Sequence, residues 1–151
     1  ELVALPQSVQ ACLAEWAQDT AHDTTRSHAL TALGTLGKRL RDPLSNVAIG
    51  QILLRTVEAS GSVVAAAEAL NALYDNYSED DLNESVLAPM GLVAALERAQ
   101  EPFAGAVKGW LAANKARAKA DPEVRRVADL LKEARANLPR FIAYKKEMGL
   151  K

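Results

Sequence analysis

Two groups of charged side chains are the residues of this sequence best suited to chemistry. The acidic group comprises Asp75, Glu79, Asp80, Asp81 and Glu84. The basic group comprises Lys115, Arg117, Lys119, Arg125, Arg126, Lys132, Arg135 and Arg140. Dense carboxylates suit charge-assisted hydrogen bonds to a basic partner, and dense cations suit RNA or an acidic segment. Each group can also be an ordinary solvated surface, and the sequence leaves both interpretations open.

No arrangement of side chains points to catalysis. His22 and His28 have no Cys, Asp or Glu around them at metal-ligand spacing. The sequence also contains no glycine-rich phosphate loop and no nucleophile motif. Cys12, the single cysteine, lies among apolar helix positions, so we expect a buried and unreactive thiol. We therefore expect no enzymatic activity, no metal and no cofactor.

Charge is distributed unevenly along the 151 residues. Residues 1–90 carry twelve acids and five bases, a net charge of −7, whereas residues 91–151 carry seven acids and thirteen bases, a net charge of +6. Such a division gives a dipolar surface that can steer charged partners. No apolar stretch approaches the roughly 20 residues of a membrane span, and no signal-peptide pattern is present. Because the chain begins at Glu1, we expect it to be a piece of a longer intracellular protein.

The elements that must position these charges are helices. Apolar residues recur at spacings of three and four, as on Val9, Leu13, Trp16 and Ala17, which we expect to form a buried face. Caps and first-turn prolines mark the boundaries. The predicted helices cover residues of about 6–21, 24–40, 43–59, 62–78, 86–100, 102–118 and 122–147. Pro102 is expected to divide the fifth helix from the sixth, and Pro139 to kink or split the last.

An internal repeat organises these helices. Residues 28–33 (HALTAL) align with residues 68–73 (EALNAL), and the same offset of 40 residues pairs Val9 with Ile49 and Cys12 with Ile52. A period near 40 with two helices per unit is typical of HEAT and armadillo repeats. The sequence therefore predicts an all-α solenoid, a single domain over residues 1–151, with hairpins at about 6–41, 43–78 and 86–118 and a capping helix at about 122–147. Stacked repeats of this kind form extended protein-binding surfaces.

Two segments carry a family resemblance. Residues 67–75 (AEALNALYD), followed by the acidic group, and residues 137–145 (NLPRFIAYK) resemble the C-terminal region of the symportin family, within a similarity covering roughly residues 28–146. The resemblance implies a cytoplasmic and nuclear adaptor that escorts the ribosomal proteins binding 5S RNA and supports ribosome assembly. It implies basic cargos, which the acidic half of the chain suits, an import receptor that binds only through a region N-terminal to this chain, and an RNA contact that is indirect. The acidic group is the candidate cargo surface on charge alone, because the family has no short cargo-binding motif to carry over. A generic HEAT-repeat scaffold of another complex is the alternative.

Overall fold

Helices form every regular element that the structure describes. The computed structural model describes residues 4–17, 23–40, 43–59, 62–77 and 91–147. Its helices are α1 (Ala4–Ala17), α2 (Asp23–Leu40), α3 (Pro43–Ala59), α4 (Val63–Asn76), α5 (Leu92–Ala113), α6 (Lys115–Ala120) and α7 (Pro122–Glu147). Two predicted caps are confirmed: Ser62 Oγ accepts from the Ala65 N–H, and Asp121 Oδ1 accepts from the Glu123 N–H. The predicted all-α class holds throughout these ranges.

The helices form two layers of a stack. Helices α2, α4 and α7 pack closely side by side, whereas α1, α3 and α5 touch one another much less. Each hairpin contributes one helix to each layer, and the core lies between the layers. We call the more closely packed layer of α2, α4 and α7 the inner layer, and the layer of α1, α3 and α5 the outer layer.

Small residues permit the close packing of the inner layer. Gly34 of α2 faces Ala72 of α4 so closely that a Cβ at Gly34 would stand 3.0 Å from the Ala72 Cβ and from its carbonyl oxygen. The α4 helix is rich in buried alanines along this side, which keeps the helix surface flat. The glycine in α2, which costs helix stability in isolation, is therefore required by tertiary packing.

The third hairpin, formed by α5 and α7, is longer than the first two. Its helices contain 22 and 26 residues, against 14 to 18 in α1 to α4. The predicted division at Pro102 is wrong, because α5 runs through this residue. The predicted splitting of α7 at Pro139 does not occur either. Buried residues precede and follow each proline, so packing against the core offsets the lost backbone hydrogen bond.

The first helix exposes part of its apolar face. Leu13 is half-buried and Ala17 is buried, but Val9 and Trp16 are 42% and 50% exposed, and Cys12 is exposed as well. The prediction of a buried Cys12 and of a fully buried stripe is therefore wrong. Ile49 and Ile52, the repeat equivalents of Val9 and Cys12, are buried. The difference arises because α3 packs between α1 and α5, whereas α1 is the first helix of the described stack.

Candidate interaction surfaces

The acidic group begins at the end of α4, the middle helix of the inner layer. Asp75 is exposed there, two residues before Tyr77, which the structure places in the core. Glu79, Asp80, Asp81 and Glu84 lie outside the described residues. The chain is described again from Gly91, which adopts a left-handed conformation (φ 76°) at the start of α5. The first residue of the acidic group therefore lies on α4, and the other four come after this helix in the sequence.

Aromatic contacts fix that helix end against α7. The Tyr74 hydroxyl donates to the Ala134 carbonyl oxygen at 3.1 Å, and the Tyr74 and Phe141 rings have their centroids 5.0 Å apart in a tilted arrangement. The Lys145 ammonium lies 5.3 Å from the Phe141 centroid, within cation–π range. Burial raises the pKa of the Tyr74 and Tyr77 hydroxyls well above its ordinary value, because desolvation disfavours the phenolate.

These contacts join the two segments that carry the family resemblance. Tyr74 belongs to residues 67–75, and Phe141 and Lys145 belong to residues 137–145. The segments are more than sixty residues apart in sequence, yet their aromatic residues form one cluster. Sequence reasoning identified both segments without predicting their contact. Asp75, the one residue of the acidic group that the structure describes, is exposed next to this cluster.

A buried ion pair links the inner helices α2 and α4. Arg26 Nη2 lies 3.7 Å from Glu68 Oε1, and both side chains are about nine-tenths buried. Charges in the protein interior are screened less than charges in water, so removing Glu68 leaves Arg26 less well compensated. Sequence reasoning missed this pair, because the repeat alignment places His28, and not Arg26, at the position equivalent to Glu68. His28 is exposed.

The basic group does not form one continuous patch. Lys132, Arg135 and Arg140 lie along the part of α7 beyond its first two turns, with Arg135 partly buried beside Ala134. The remaining five predicted basic residues lie at the end of the third hairpin, on α6 and the first turn of α7. This hairpin tip, residues 108–126, contains no buried residue. Its six bases and two acids give it a net charge of +4.

Three arginines of the hairpin tip make contacts within it. Arg125 donates to the carbonyl oxygens of Ala118 at 3.2 Å and of Lys119 at 3.0 Å, and so caps the end of α6. Arg126 pairs with Glu123 at 3.1 Å, and Arg117 donates to the Asn114 side chain at 3.3 Å. Of these residues, predicted as a binding patch, Arg125 also holds α6 against α7.

An apolar groove separates α3 from α5 on the outer layer. Its cavity volume is about 520 Å³, and Val57, Val63, Pro102 and Phe103 are among its lining residues. At the same place Arg98 and Glu58, both exposed, form an ion pair at 3.5 Å. Since proline has no N–H, the Arg98 carbonyl lacks its usual helical partner here. No sequence pattern indicated this groove, because the groove depends on the spacing of two repeats.

Among the residues that the structure describes, no group of three or more His, Cys, Asp or Glu side chains could hold a metal ion. No helix within those ranges is long and apolar enough to cross a membrane.

A comparison with protein families gives one match. The family described as "SYO1-like, TPR repeats" matches residues 4–149, nearly the entire chain and more than the residues 28–146 that carry the resemblance in the sequence. No curated protein and no solved structure matches the chain. TPR units usually have 34 residues, whereas the offset of 40 falls in the HEAT and armadillo range. All three are helical repeats, so the predicted α-solenoid is confirmed.

Proposed function

The chain belongs to the SYO1-like, TPR-repeat family, which corresponds to the symportins, and from this premise we propose that it is a non-enzymatic adaptor for basic ribosomal proteins. The cargos are the large-subunit proteins that bind 5S RNA, escorted between cytoplasm and nucleus for import and ribosome assembly. The chain supplies the C-terminal part of the adaptor's solenoid. The import receptor binds a region N-terminal to this chain.

The observation that carries the proposal is the packing of the two family-like segments. Tyr74 contacts Ala134 and Phe141, and the acidic group begins at the next residue, Asp75. Because Asp75 stands on a packed helix end, its side chain loses less conformational entropy on binding than one on an unpacked segment. Five carboxylates within ten residues attract Lys- and Arg-rich proteins, and such attraction acts chiefly on the association rate and on partner choice.

The test is binding of a purified 5S-RNA-binding ribosomal protein to the chain at several salt concentrations. We expect an affinity that falls as salt rises, because exposed charge pairs are screened. In the triple variant Asp75→Lys, Asp80→Lys, Asp81→Lys, binding should weaken at least tenfold at low salt, and the residual binding should depend less on salt.

The matched control changes three exposed acids elsewhere, Glu101→Lys, Asp129→Lys and Glu133→Lys. It alters the net charge by the same amount and should leave binding within about twofold. Equal losses in both variants would show that total charge, and not the acidic group, determines binding. If the unmodified chain binds no ribosomal protein, the generic scaffold of another complex becomes the better interpretation.

A further inference from the structure

We propose that the hairpin tip is a second, separate binding surface, which contacts the phosphate backbone of duplex nucleic acid. The tip, residues 108–126, packs only within the third hairpin: α6 lies against α7 and α5, and no residue of this range is buried. The proposal does not depend on the acidic group or on the cargo of the proposed function.

The acids of the tip are already engaged in its own structure. Asp121 Oδ1 accepts the Glu123 N–H at 2.9 Å and so caps the start of α7, while Glu123 pairs with Arg126 at 3.1 Å. Arg125 closes the end of α6 through two carbonyl oxygens. These contacts fold the tip and neutralise part of its charge, but they involve none of its lysines.

The lysines of the tip are exposed. Lys108, Lys115 and Lys119 have no ion pair or hydrogen bond among the described residues. Asn114 (φ −110°, ψ 12°) separates α5, which carries Lys108, from α6, which carries Lys115 and Lys119. Within α6 a spacing of four residues places Lys115 and Lys119 on the same side of the helix, about 6 Å apart along its axis.

The residues around these lysines favour duplex nucleic acid over a protein as the partner. Gly109, Ala112 and Ala116 lie between the lysines and are exposed, so a bulky partner can approach the helix backbone closely. The tip has no exposed aromatic residue for base stacking, because Trp110 packs against the core. It also lacks an exposed large apolar side chain, the usual anchor of a protein interface. Exposed, unpaired cations without such anchors fit a phosphate backbone.

The experiment measures binding of a fluorescein-labelled 20-base-pair RNA duplex by fluorescence anisotropy between 50 and 200 mM salt. Three neutralised phosphates give a log–log salt slope of about −2.7, so affinity should fall about 40-fold over this range. The variant Lys108→Gln, Lys115→Gln, Lys119→Gln should lose nearly all of this slope. The matching Lys→Arg variant should retain it, because Arg also binds phosphate.

The control variant removes three exposed bases elsewhere: Arg55→Gln, Arg98→Gln and Lys146→Gln. It changes the net charge equally and should bind the duplex like the unmodified chain. An equal loss in this control would overturn the proposal, as would tighter binding of a poly-glutamate peptide than of the duplex. A DNA duplex of the same sequence identifies the source of the phosphates: equal affinity indicates phosphate charge alone, and a preference for RNA indicates recognition of A-form spacing.

Discussion

The close packing of α2 on α4 can be tested by adding a single methyl group at Gly34. A Cβ at this position would meet the Ala72 Cβ and carbonyl oxygen at 3.0 Å and its Cα at 3.1 Å. Two of these atoms belong to the α4 backbone, which cannot rotate away as a side chain can. The Gly34→Ala variant must therefore separate the two helices or strain the contact between them.

The same chain supplies the reference for this substitution. Gly105 and Gly109 of α5 are exposed helix positions with no atom within 4 Å of an added Cβ. There, Gly→Ala should stabilise the protein by about 0.4–1 kcal/mol, because the unfolded chain loses conformational freedom. At Gly34 overpacking costs about 1–3 kcal/mol. We expect Gly34→Ala to be destabilising by up to about 2 kcal/mol, opposite in sign to the other two.

Urea unfolding followed by circular dichroism measures these differences, together with the melting temperature, which shifts by about 2–4 °C per kcal/mol in a chain of this size. Gly34→Ala combined with Ala72→Gly removes one of the overlapping atoms, so the double variant should be more stable than the sum of the single effects. If Gly34→Ala stabilises the protein as much as Gly105→Ala does, the two helices are not in contact at this point and the reasoning is refuted.

Three further predictions concern the buried pair, the tyrosines and the helix proline. Glu68→Gln should be destabilising by about 1–3 kcal/mol in urea, since it removes the carboxylate that lies 3.7 Å from the buried Arg26 guanidinium, and an unchanged stability would show that the pair is solvated. The contribution of Tyr74 and Tyr77 to stability should be constant below about pH 10. Above that pH it should fall by about 1.4 kcal/mol per pH unit for each tyrosine, because the unfolded hydroxyls ionise there while burial raises the pKa of the folded ones. Tyr74→Phe should halve this slope, and an unchanged slope would contradict the reasoning. Pro102→Ala restores a backbone N–H within α5 and should be stabilising by about 1–3 kcal/mol, whereas a loss of stability would show that the ring is needed in the groove.

Local signals in the sequence predicted much of the fold. The helix beginning at Pro122 was evident from Asp121, Pro122 and Glu123, because a cap, a first-turn proline and a first-turn acid are all local features. The start of α4 at Ser62 was similarly evident. The repeat of 40 residues then related the hairpins to each other. These features depend on neighbouring residues alone, so sequence periodicity is sufficient to find them.

Features that depend on contacts between repeats could not be predicted in this way. Pro102 breaks an isolated helix, but in α5 the buried Leu96 before it and Phe103 after it are held by the core, so the helix continues. The pairing of Arg26 with Glu68 depends on how two helices are rotated against each other. The site predictions depended on contacts between helices in the same way. The sequence analysis predicted one basic group, whereas the fold divides its residues between the hairpin tip and the remainder of α7.

The two tryptophans of the chain lie at opposite ends of the stack, Trp16 on the first helix and Trp110 in the last hairpin. Trp16 is half exposed and Trp110 is packed against the core, so they emit from different surroundings. Because each repeat contacts only its neighbours, the ends of a solenoid can melt at different denaturant concentrations. The fluorescence of each tryptophan therefore reports on unfolding at its own end of the stack. Variants that keep a single tryptophan distinguish an all-or-none transition from unfolding that begins at one end and spreads.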